Sequence, residues 1–161
     1  MNKEILFITG HRRCGTTMLT NLFDKHESFC VYPCDLGILY AYYPNYIGKS
    51  YSYKYKKDKI ISIIQSNMIS VINDKKFLKE FDLNKFLIEI KKNITLININ
   101  NISKLTNLVI NTYVKILKPR NNFKYIVIKE TSVGLFAFKI KEWFKKIKFI
   151  QIVRDPRDNY A

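Results

Sequence analysis

The sequence lacks any apolar run long enough to cross a membrane, because its longest such runs fall well short of about 20 residues. A signal peptide is not predicted either, since residues 1–4 are mixed in charge and a strand-like segment follows directly. These absences argue against a membrane-spanning protein and favour a cytoplasmic one. The length of 161 residues suits one domain with a sizeable core.

Cysteine is scarce, and its spacing suggests neither a disulfide framework nor a metal site. The three cysteines, Cys14, Cys30 and Cys34, are an odd number, which favours free thiols in a reducing compartment. His26 lies near two of them, but there is no C-x-x-C pair and no clear fourth ligand. We therefore predict no bound metal.

Acidic residues are also few, with 13 Asp and Glu against 28 Lys and Arg, for a net charge of +15. Such an excess favours anionic ligands or surfaces, including nucleotides, nucleic acid, phospholipid and sulfated or phosphorylated substrates. A compositional bias explains it equally well, because lysine, asparagine and isoleucine are abundant along the whole chain. The net charge alone therefore selects no partner.

One lysine is missing where a nucleotide-binding motif requires it. Gly10 is followed by four residues and then by Gly15, which is the spacing of a P-loop. Thr17 supplies the terminal hydroxyl of that motif, but Thr16 stands at the lysine position. The positive charge lies inside the loop instead, on Arg12 and Arg13. This displacement predicts a phosphate-bearing ligand and argues against ordinary Mg-ATP chemistry.

The loop lies between the two elements that a phosphate site needs. Residues 5–9 form an apolar, β-rich run that is typical of a buried parallel strand. Apolar residues follow the loop at helical spacing, at Met18, Leu19, Leu22 and Phe23. The first amides of such a helix lack acceptors within the helix and attract anions. The alternative is a plain strand-to-helix turn with surface arginines.

The rest of the chain alternates strands and helices around a helical middle. Further strands are predicted at residues 29–32, 124–128 and 148–153, with a helix at residues 133–146. Helical patterns in the middle stretch lie near residues 60–72, 83–90 and 105–117. Strands that alternate with helices indicate a parallel sheet.

We therefore predict an α/β fold in which a P-loop-like parallel sheet is flanked by helices, as one domain over residues 1–161. Residues 1–45 and 121–161 would form the nucleotide-binding core, and residues 46–120 a variable helical insertion. Ligands bind outside the carboxyl ends of parallel strands. Four residues of interest follow such strand ends and should meet at one edge: Gly15, Asp35, Lys129 and Arg154.

A second basic turn follows the last predicted strand. Arg154 and Arg157 flank Pro156, and the planar fork of arginine suits phosphate oxygens. Proline fixes the local backbone. This turn is predicted to bind a second phosphate, and the alternative is an exposed turn with ion pairs between arginine and aspartate.

Together, residues 13–17 and 149–157 resemble the sulfotransferases that use 3′-phosphoadenosine 5′-phosphosulfate (PAPS). In that family a strand-loop-helix of the type Arg/Lys-Ser-Gly-Thr-Thr binds the 5′-phosphosulfate. A later strand ending in Val-Arg-Asp/Asn-Pro-Arg begins the 3′-phosphate site. Residues 22–29 and 129–131 are similar to the bacterial, carbohydrate and tyrosyl-protein branches. The resemblance covers both ends of the chain and is weak to absent between about 46 and 120.

The resemblance implies PAPS as co-substrate without a metal. The residues predicted to contact PAPS are Arg12, Arg13, Cys14, Gly15, Thr16, Thr17, Arg154 and Arg157. Cys14 replaces the family's usual serine and so loses a good hydroxyl donor, although its backbone N–H remains. The family's serine that pairs with Arg154 would fall one position beyond Ala161. We therefore expect the C-terminal part that completes the adenine and acceptor sites to be missing.

Three residues are predicted to act in catalysis: Arg13, Asp35 and Lys129. Arg13 and the amides of residues 15–17 would stabilise negative charge on the leaving phosphate, usually the largest catalytic term. The tyrosyl-protein branch implies that Asp35 is the base for the acceptor proton, with an Asx-type turn as the alternative. The resemblance also implies that Lys129 lies near the transferring group, with a lysine that caps the strand end as the alternative.

The predicted function is transfer of a sulfuryl group from PAPS to a hydroxyl or amine acceptor, which is a carbohydrate, lipid, phenol or peptide. One alternative is a P-loop kinase or NTPase of another class. Another is a non-catalytic basic module that binds nucleic acid or acidic polymer through the lysines and tyrosines of residues 49–59. No RNP-like, helix-turn-helix or zinc signature accompanies that segment, which disfavours nucleic acid as a partner.

Overall fold

A computed structural model describes residues 3–24, 26–38, 53–72, 81–97, 101–119, 122–131, 134, 137–144, 146–155 and 157. The strands within these ranges are β1 (Glu4–Gly10), β2 (Phe29–Asp35), β3 (Tyr125–Lys129) and β4 (Ile147–Ile152). The helices are α1 (Thr16–Phe23), α2 (Tyr53–Ile72), α3 (Leu83–Ile94), α4 (Ile102–Leu117) and α5 (Ala137–Trp143). Parts of three predictions lie outside the described residues: residues 49–52 of the basic segment, the start of the helix predicted from 133, and Pro156.

The strands form one four-stranded sheet in the order β2-β3-β1-β4, and every pair is parallel. The predicted α/β class, a parallel sheet with helices, is confirmed. The connection from β1 runs towards β2, whereas the connection from β3 runs the opposite way across β1 to β4. In open parallel sheets, ligands bind outside the carboxyl ends of the strands where the connections change direction.

Burial of β1 on both faces explains its apolar sequence, with all of residues 5–8 less than a tenth exposed. On one face, the buried side chains form a cluster with partly buried neighbours from α1, β2 and β4: Leu6, Ile8, Val31 and Val127 with Leu19, Phe23, Phe29 and Ile150. α1 contacts β1, β2 and β3. Each fully buried aliphatic side chain contributes about 1.5–3 kcal/mol, so this face fixes α1 on the sheet.

Several element boundaries differ from those predicted. β2 runs on through Pro33 to Asp35, because it is the outermost strand beside β3 and its pairing is irregular between Val31 and Asp35. Proline is tolerated there, since an edge or irregular position needs no ladder donor. α2 begins at Tyr53, ahead of the predicted residue 60, and α5 ends at Trp143.

The chain divides into two compact units, one formed by Met1–Asp35 with Pro119–Ala161 and the other by Leu36–Lys118. The first unit contains the whole sheet with α1 and α5. The second contains α2, α3 and α4, so the helical character predicted for the middle of the chain is confirmed. The assignment of residues 1–161 to a single domain stays a prediction.

The helices of the second unit bury their apolar residues at helical spacing. Ile60, Ile64 and Met68 on α2 are fully buried, and α3 packs on both α2 and α4. The first turns of α3 and α4 are capped by Asp82 and Asn101, whose side chains accept backbone N–H bonds at 2.8 and 2.9 Å. No helix in the described ranges is both long and apolar enough to cross a membrane.

The three cysteines are buried free thiols in the first unit, as their odd number and spacing predicted. Burial raises the pKa of Cys30 to about 12, and the nearby Asp24 charge adds to the effect. Burial also raises the pKa of Cys34 to about 12, with the Asp35 charge as the second cause. Because the thiolate is the reactive form, both thiols are held in an unreactive state at neutral pH.

We expect Cys30 and Cys34 to resist alkylation in the folded chain. The raised pKa values keep both thiols protonated at pH 8, and burial blocks reagent access. Iodoacetamide labelling followed by mass spectrometry should show both residues unmodified in buffer and fully modified in denaturing urea. Rapid labelling of either residue in buffer would contradict the burial of β2.

Candidate functional site

The loop between β1 and α1 closes tightly on Gly10. A Cβ atom at this position would lie 2.5 Å from Cys14 Sγ and 2.8 Å from the carbonyl oxygen of Ile152. Contacts under 3.0 Å are not tolerated, so no larger residue fits without a shift of the loop or of β4. The first glycine of the predicted motif is therefore required by packing.

Two residues of the loop take left-handed backbone conformations. Gly15 has φ 97° and open space around it, so its requirement is conformational rather than steric. Arg13 has φ 68°, which is uncommon for a residue with a side chain. A backbone that turns in this way carries Arg13 and Gly15 to the start of α1.

The Cys14 side chain serves the loop itself. Cys14 is only 8% exposed and its sulfur packs over Gly10, while its N–H donates to the His11 carbonyl oxygen at 3.3 Å. Both groups are thus used inside the loop. This placement gives Cys14 a role in holding the loop's shape.

α1 starts without a side-chain cap. Its N-cap is Gly15, and the first intrahelical bond runs from the Leu19 N–H to the Gly15 carbonyl at 3.0 Å. The amides ahead of Leu19 have no acceptor within the helix and carry its partial positive charge. Of the two threonines there, Thr16 is buried and Thr17 is exposed. Thr17 is therefore the one whose hydroxyl faces the edge of the sheet.

Four side chains meet at the carboxyl edge beside the loop, and we call Thr17, Asp35, Lys129 and Thr131 the edge cluster. Lys129 Nζ lies 2.8 Å from Asp35 Oδ1 and donates to Thr17 Oγ1 at 3.0 Å. Thr131 Oγ1 donates to Asp35 Oδ2. The Lys129 and Asp35 side chains are only 14% and 25% exposed, so solvent screens their attraction weakly. The predicted meeting of these strand ends is thus confirmed for Asp35 and Lys129.

Arg154 links the far end of the sequence to the loop. It follows β4, the strand next to β1, and its Nη1 donates to the carbonyl oxygen of Arg13 at 3.3 Å. The guanidinium is otherwise largely exposed. Two arginines that lie 141 residues apart therefore stand together where β1 and β4 end.

Arg157 is held differently from Arg154. Its guanidinium and backbone N–H all bond the Asp155 carboxylate, with the shortest contact, Nη2 to Oδ2, at 2.6 Å. These bonds lower the pKa of Asp155 and raise that of Arg157. The ion pair considered as the alternative for this segment therefore forms here, and it holds the Arg157 guanidinium on Asp155, whereas Arg154 reaches the loop.

Arg12 and His26 have simple environments. Arg12 is exposed on the loop, and its carbonyl oxygen lies 3.1 Å from His11 Nδ1. His26 Nδ1 accepts the Ser28 N–H at 3.1 Å and its ring meets Phe29 edge-on, which is a structural role at the end of α1. Among the described residues, no three His, Cys, Asp or Glu side chains form a metal-binding group.

Sequence reasoning did not select Thr131 as a site residue. The signal available for it was positional, because Thr131 lies two residues past the end of β3 on the edge that also bears Asp35. The hydroxyl of Thr131 and the ammonium of Lys129 both contact Asp35, far along the chain from it. Comparisons of the chain with protein-family models, with curated proteins and with solved structures give no match.

We expect the Asp35 and Lys129 charges to be energetically coupled. Asp35→Asn and Lys129→Met should each lower the free energy of unfolding by about 1–3 kcal/mol, because each removes the charged partner of a largely buried side chain. The double variant should lose about 1 kcal/mol less than the sum. Urea denaturation of the four proteins measures this coupling.

The more exposed ion pair between Glu4 and Lys148, at 3.4 Å, is the matched control for this cycle. Lys148 is 62% exposed, so a Glu4→Gln and Lys148→Met cycle should give a coupling of about 0.5 kcal/mol or less. Equal coupling energies in the two cycles would show that the edge cluster is no more tightly paired than the surface.

Proposed function

We propose that the chain is a sulfotransferase that moves a sulfuryl group from PAPS to a hydroxyl or amine acceptor. The observation that carries the proposal is the contact of Arg154 with the Arg13 carbonyl, because it joins the two motifs of the resemblance at one edge of the sheet. PAPS carries phosphate on both the 3′ and the 5′ carbon of its ribose. The loop between β1 and α1 suits the 5′-phosphosulfate. Arg154, which follows the neighbouring strand β4, suits the 3′-phosphate.

The donor set at this edge fits a polyanion. Arg154 and Lys129 bring two cationic side chains to it, Arg13 lies beside Arg154 in the loop, and the uncapped start of α1 adds partial positive charge. One carboxylate, Asp35, stands among them. The net charge of these groups is positive and they lie close together, which supports binding of a ligand with several negative charges.

Thr17 distinguishes this proposal from Mg-ATP chemistry. In a P-loop the hydroxyl at this position binds Mg²⁺. Here Thr17 Oγ1 accepts a bond from the Lys129 ammonium at 3.0 Å, so a cation already lies against that oxygen. Together with Thr16 at the motif's lysine position, this favours a metal-free ligand over a nucleoside triphosphate with magnesium.

The proposed chemistry breaks the bond between sulfur and the bridging oxygen of the leaving phosphate, and forms a bond from sulfur to the acceptor oxygen or nitrogen. PAPS supplies the sulfuryl group and leaves as 3′-phosphoadenosine 5′-phosphate. Arg13 and the first amides of α1 stabilise the charge that develops on the bridging oxygen. Lys129 adds positive charge beside Thr17, and Asp35 takes the acceptor proton.

Calorimetric titration with 3′-phosphoadenosine 5′-phosphate and, separately, with Mg-ATP tests the proposal. The first ligand should bind at least about tenfold more tightly. Arg154→Gln should weaken it by about ten- to a hundredfold, the range for hydrogen bonds to charged groups. Arg13→Gly should do the same while keeping the left-handed backbone of the loop.

Arg157→Gln is the matched control, because Asp155 already holds that guanidinium. It should change the affinity by less than about threefold, as expected for a surface ion pair. Tighter binding of Mg-ATP than of 3′-phosphoadenosine 5′-phosphate would contradict the proposed function. Equal losses in the Arg154 and Arg157 variants would contradict the role given to Arg154.

A further inference from the structure

The Asp35 carboxylate has a separate partner on each oxygen. Lys129 Nζ lies against Oδ1 at 2.8 Å, and the Thr131 hydroxyl donates to Oδ2. The same ammonium donates to Thr17 Oγ1 at 3.0 Å. A continuous chain of polar contacts therefore runs from Thr131 through Asp35 and Lys129 to the first turn of α1.

Polar partners on both oxygens hold a carboxylate in one orientation, which a partner on a single oxygen does not. The terminal torsion of aspartate is broad and roughly two-fold, so a carboxylate held at one oxygen still turns about its bond to Cβ. The hydroxyl on Oδ2 restricts that rotation and keeps Oδ1 aimed at Lys129. The position of the Lys129 ammonium beside Thr17 thus depends on Thr131, whose hydroxyl donates to Asp35.

The backbone at this point is held by another bond. The Glu130 N–H donates to the Ile8 carbonyl oxygen at 3.0 Å and extends the pairing with β1 past the end of β3. The segment bearing Thr131 is thereby tied to the central strand through its neighbour's main chain. The side-chain hydroxyl is then available for orienting Asp35.

The geometry points to Thr131 as a positioning residue for the transfer step. Its hydroxyl orients the Asp35 carboxylate, so that one oxygen holds Lys129 at the loop and the carboxylate stays aligned to accept the acceptor proton. This inference rests on the proposed function. It predicts that Thr131 governs turnover and leaves the affinity for the nucleotide nearly unchanged, because its hydroxyl acts through Asp35, the proposed acceptor of the proton.

The test compares two variants. Thr131→Val removes the hydroxyl and keeps the shape of the side chain, whereas Thr131→Ser keeps the hydroxyl. Thr131→Val should lower kcat by about ten- to a hundredfold, the worth of a hydrogen bond to a charged group. The dissociation constant of 3′-phosphoadenosine 5′-phosphate should change by less than about twofold. Thr131→Ser should restore most of kcat.

Thr9→Val is the matched control. Thr9 is 1% exposed on β1, and its hydroxyl has no hydrogen-bond partner among the described residues. Removing that hydroxyl therefore takes away no bond, and kcat should stay at the wild-type value. A similar loss of kcat in Thr9→Val and Thr131→Val would show a general packing effect and overturn the inference.

A measurement without substrate separates this inference from the proposed function. In protein labelled with ¹³C at aspartate, the side-chain carboxyl resonance that disappears in Asp35→Asn belongs to Asp35. It should shift in Thr131→Val and stay near its wild-type position in Thr131→Ser. An unmoved resonance in Thr131→Val would overturn the orienting contact, whatever the reaction is.

The kinetic outcomes are equally distinct. Wild-type kcat in Thr131→Val, from a chain that does transfer sulfuryl groups, would overturn the role of Thr131 and leave the proposed function standing. A wild-type chain that binds no 3′-phosphoadenosine 5′-phosphate and transfers no sulfuryl group would overturn the proposed function, and the catalytic role of Thr131 with it.

Discussion

The parallel pairing of β1 between β3 and β4 is the constraint on which the candidate site depends. Ile8 stands opposite Lys129 on one side and Ile150 on the other, and Gly10 stands opposite Ile152. Each of the cationic side chains at the edge lies within a few residues of these pairs. A slip of one residue would turn every side chain of a strand to the other face, and burial of both faces of β1 opposes it.

The loop adds a local requirement to this register. Cys14 folds over Gly10, and Gly10 must stay small because β4 passes close behind it. The left-handed Gly15 then starts α1 with no cap on its first amides. The apolar face of α1 against the sheet fixes where those amides are, so the packing of α1 sets the direction of the helix's partial charge.

The parts of this arrangement that sequence reasoning predicted are those that depend on local pattern. An apolar strand, two spaced glycines and a helical repeat identify the loop, and alternation of elements gives the parallel sheet. The meeting of Asp35 with Lys129 also follows, because both end strands of that sheet. The extension of β2 through Pro33 did not follow, since it depends on β2 being the outermost strand, which only the strand order reveals.

The sequence could not predict which of two identical side chains makes which contact, and the reason is physical. Arg154 and Arg157 are the same residue type three positions apart, yet one reaches the Arg13 carbonyl and the other folds onto Asp155. Sequence reasoning did not select Thr131, because a single threonine past the end of a strand gives no functional signal until its contact with Asp35 is known. The side-chain contacts of this site therefore depend on geometry that composition and spacing do not encode.

A crystal structure of the chain with 3′-phosphoadenosine 5′-phosphate tests the central claim most directly, since that claim places a two-ended anion along the edge between β1 and β4. The account predicts the 5′-phosphate about 3 Å from the first amides of α1 and the 3′-phosphate against the Arg154 guanidinium. Phosphates bound only at surface lysines, with the loop and Arg154 left in their present contact, would contradict it.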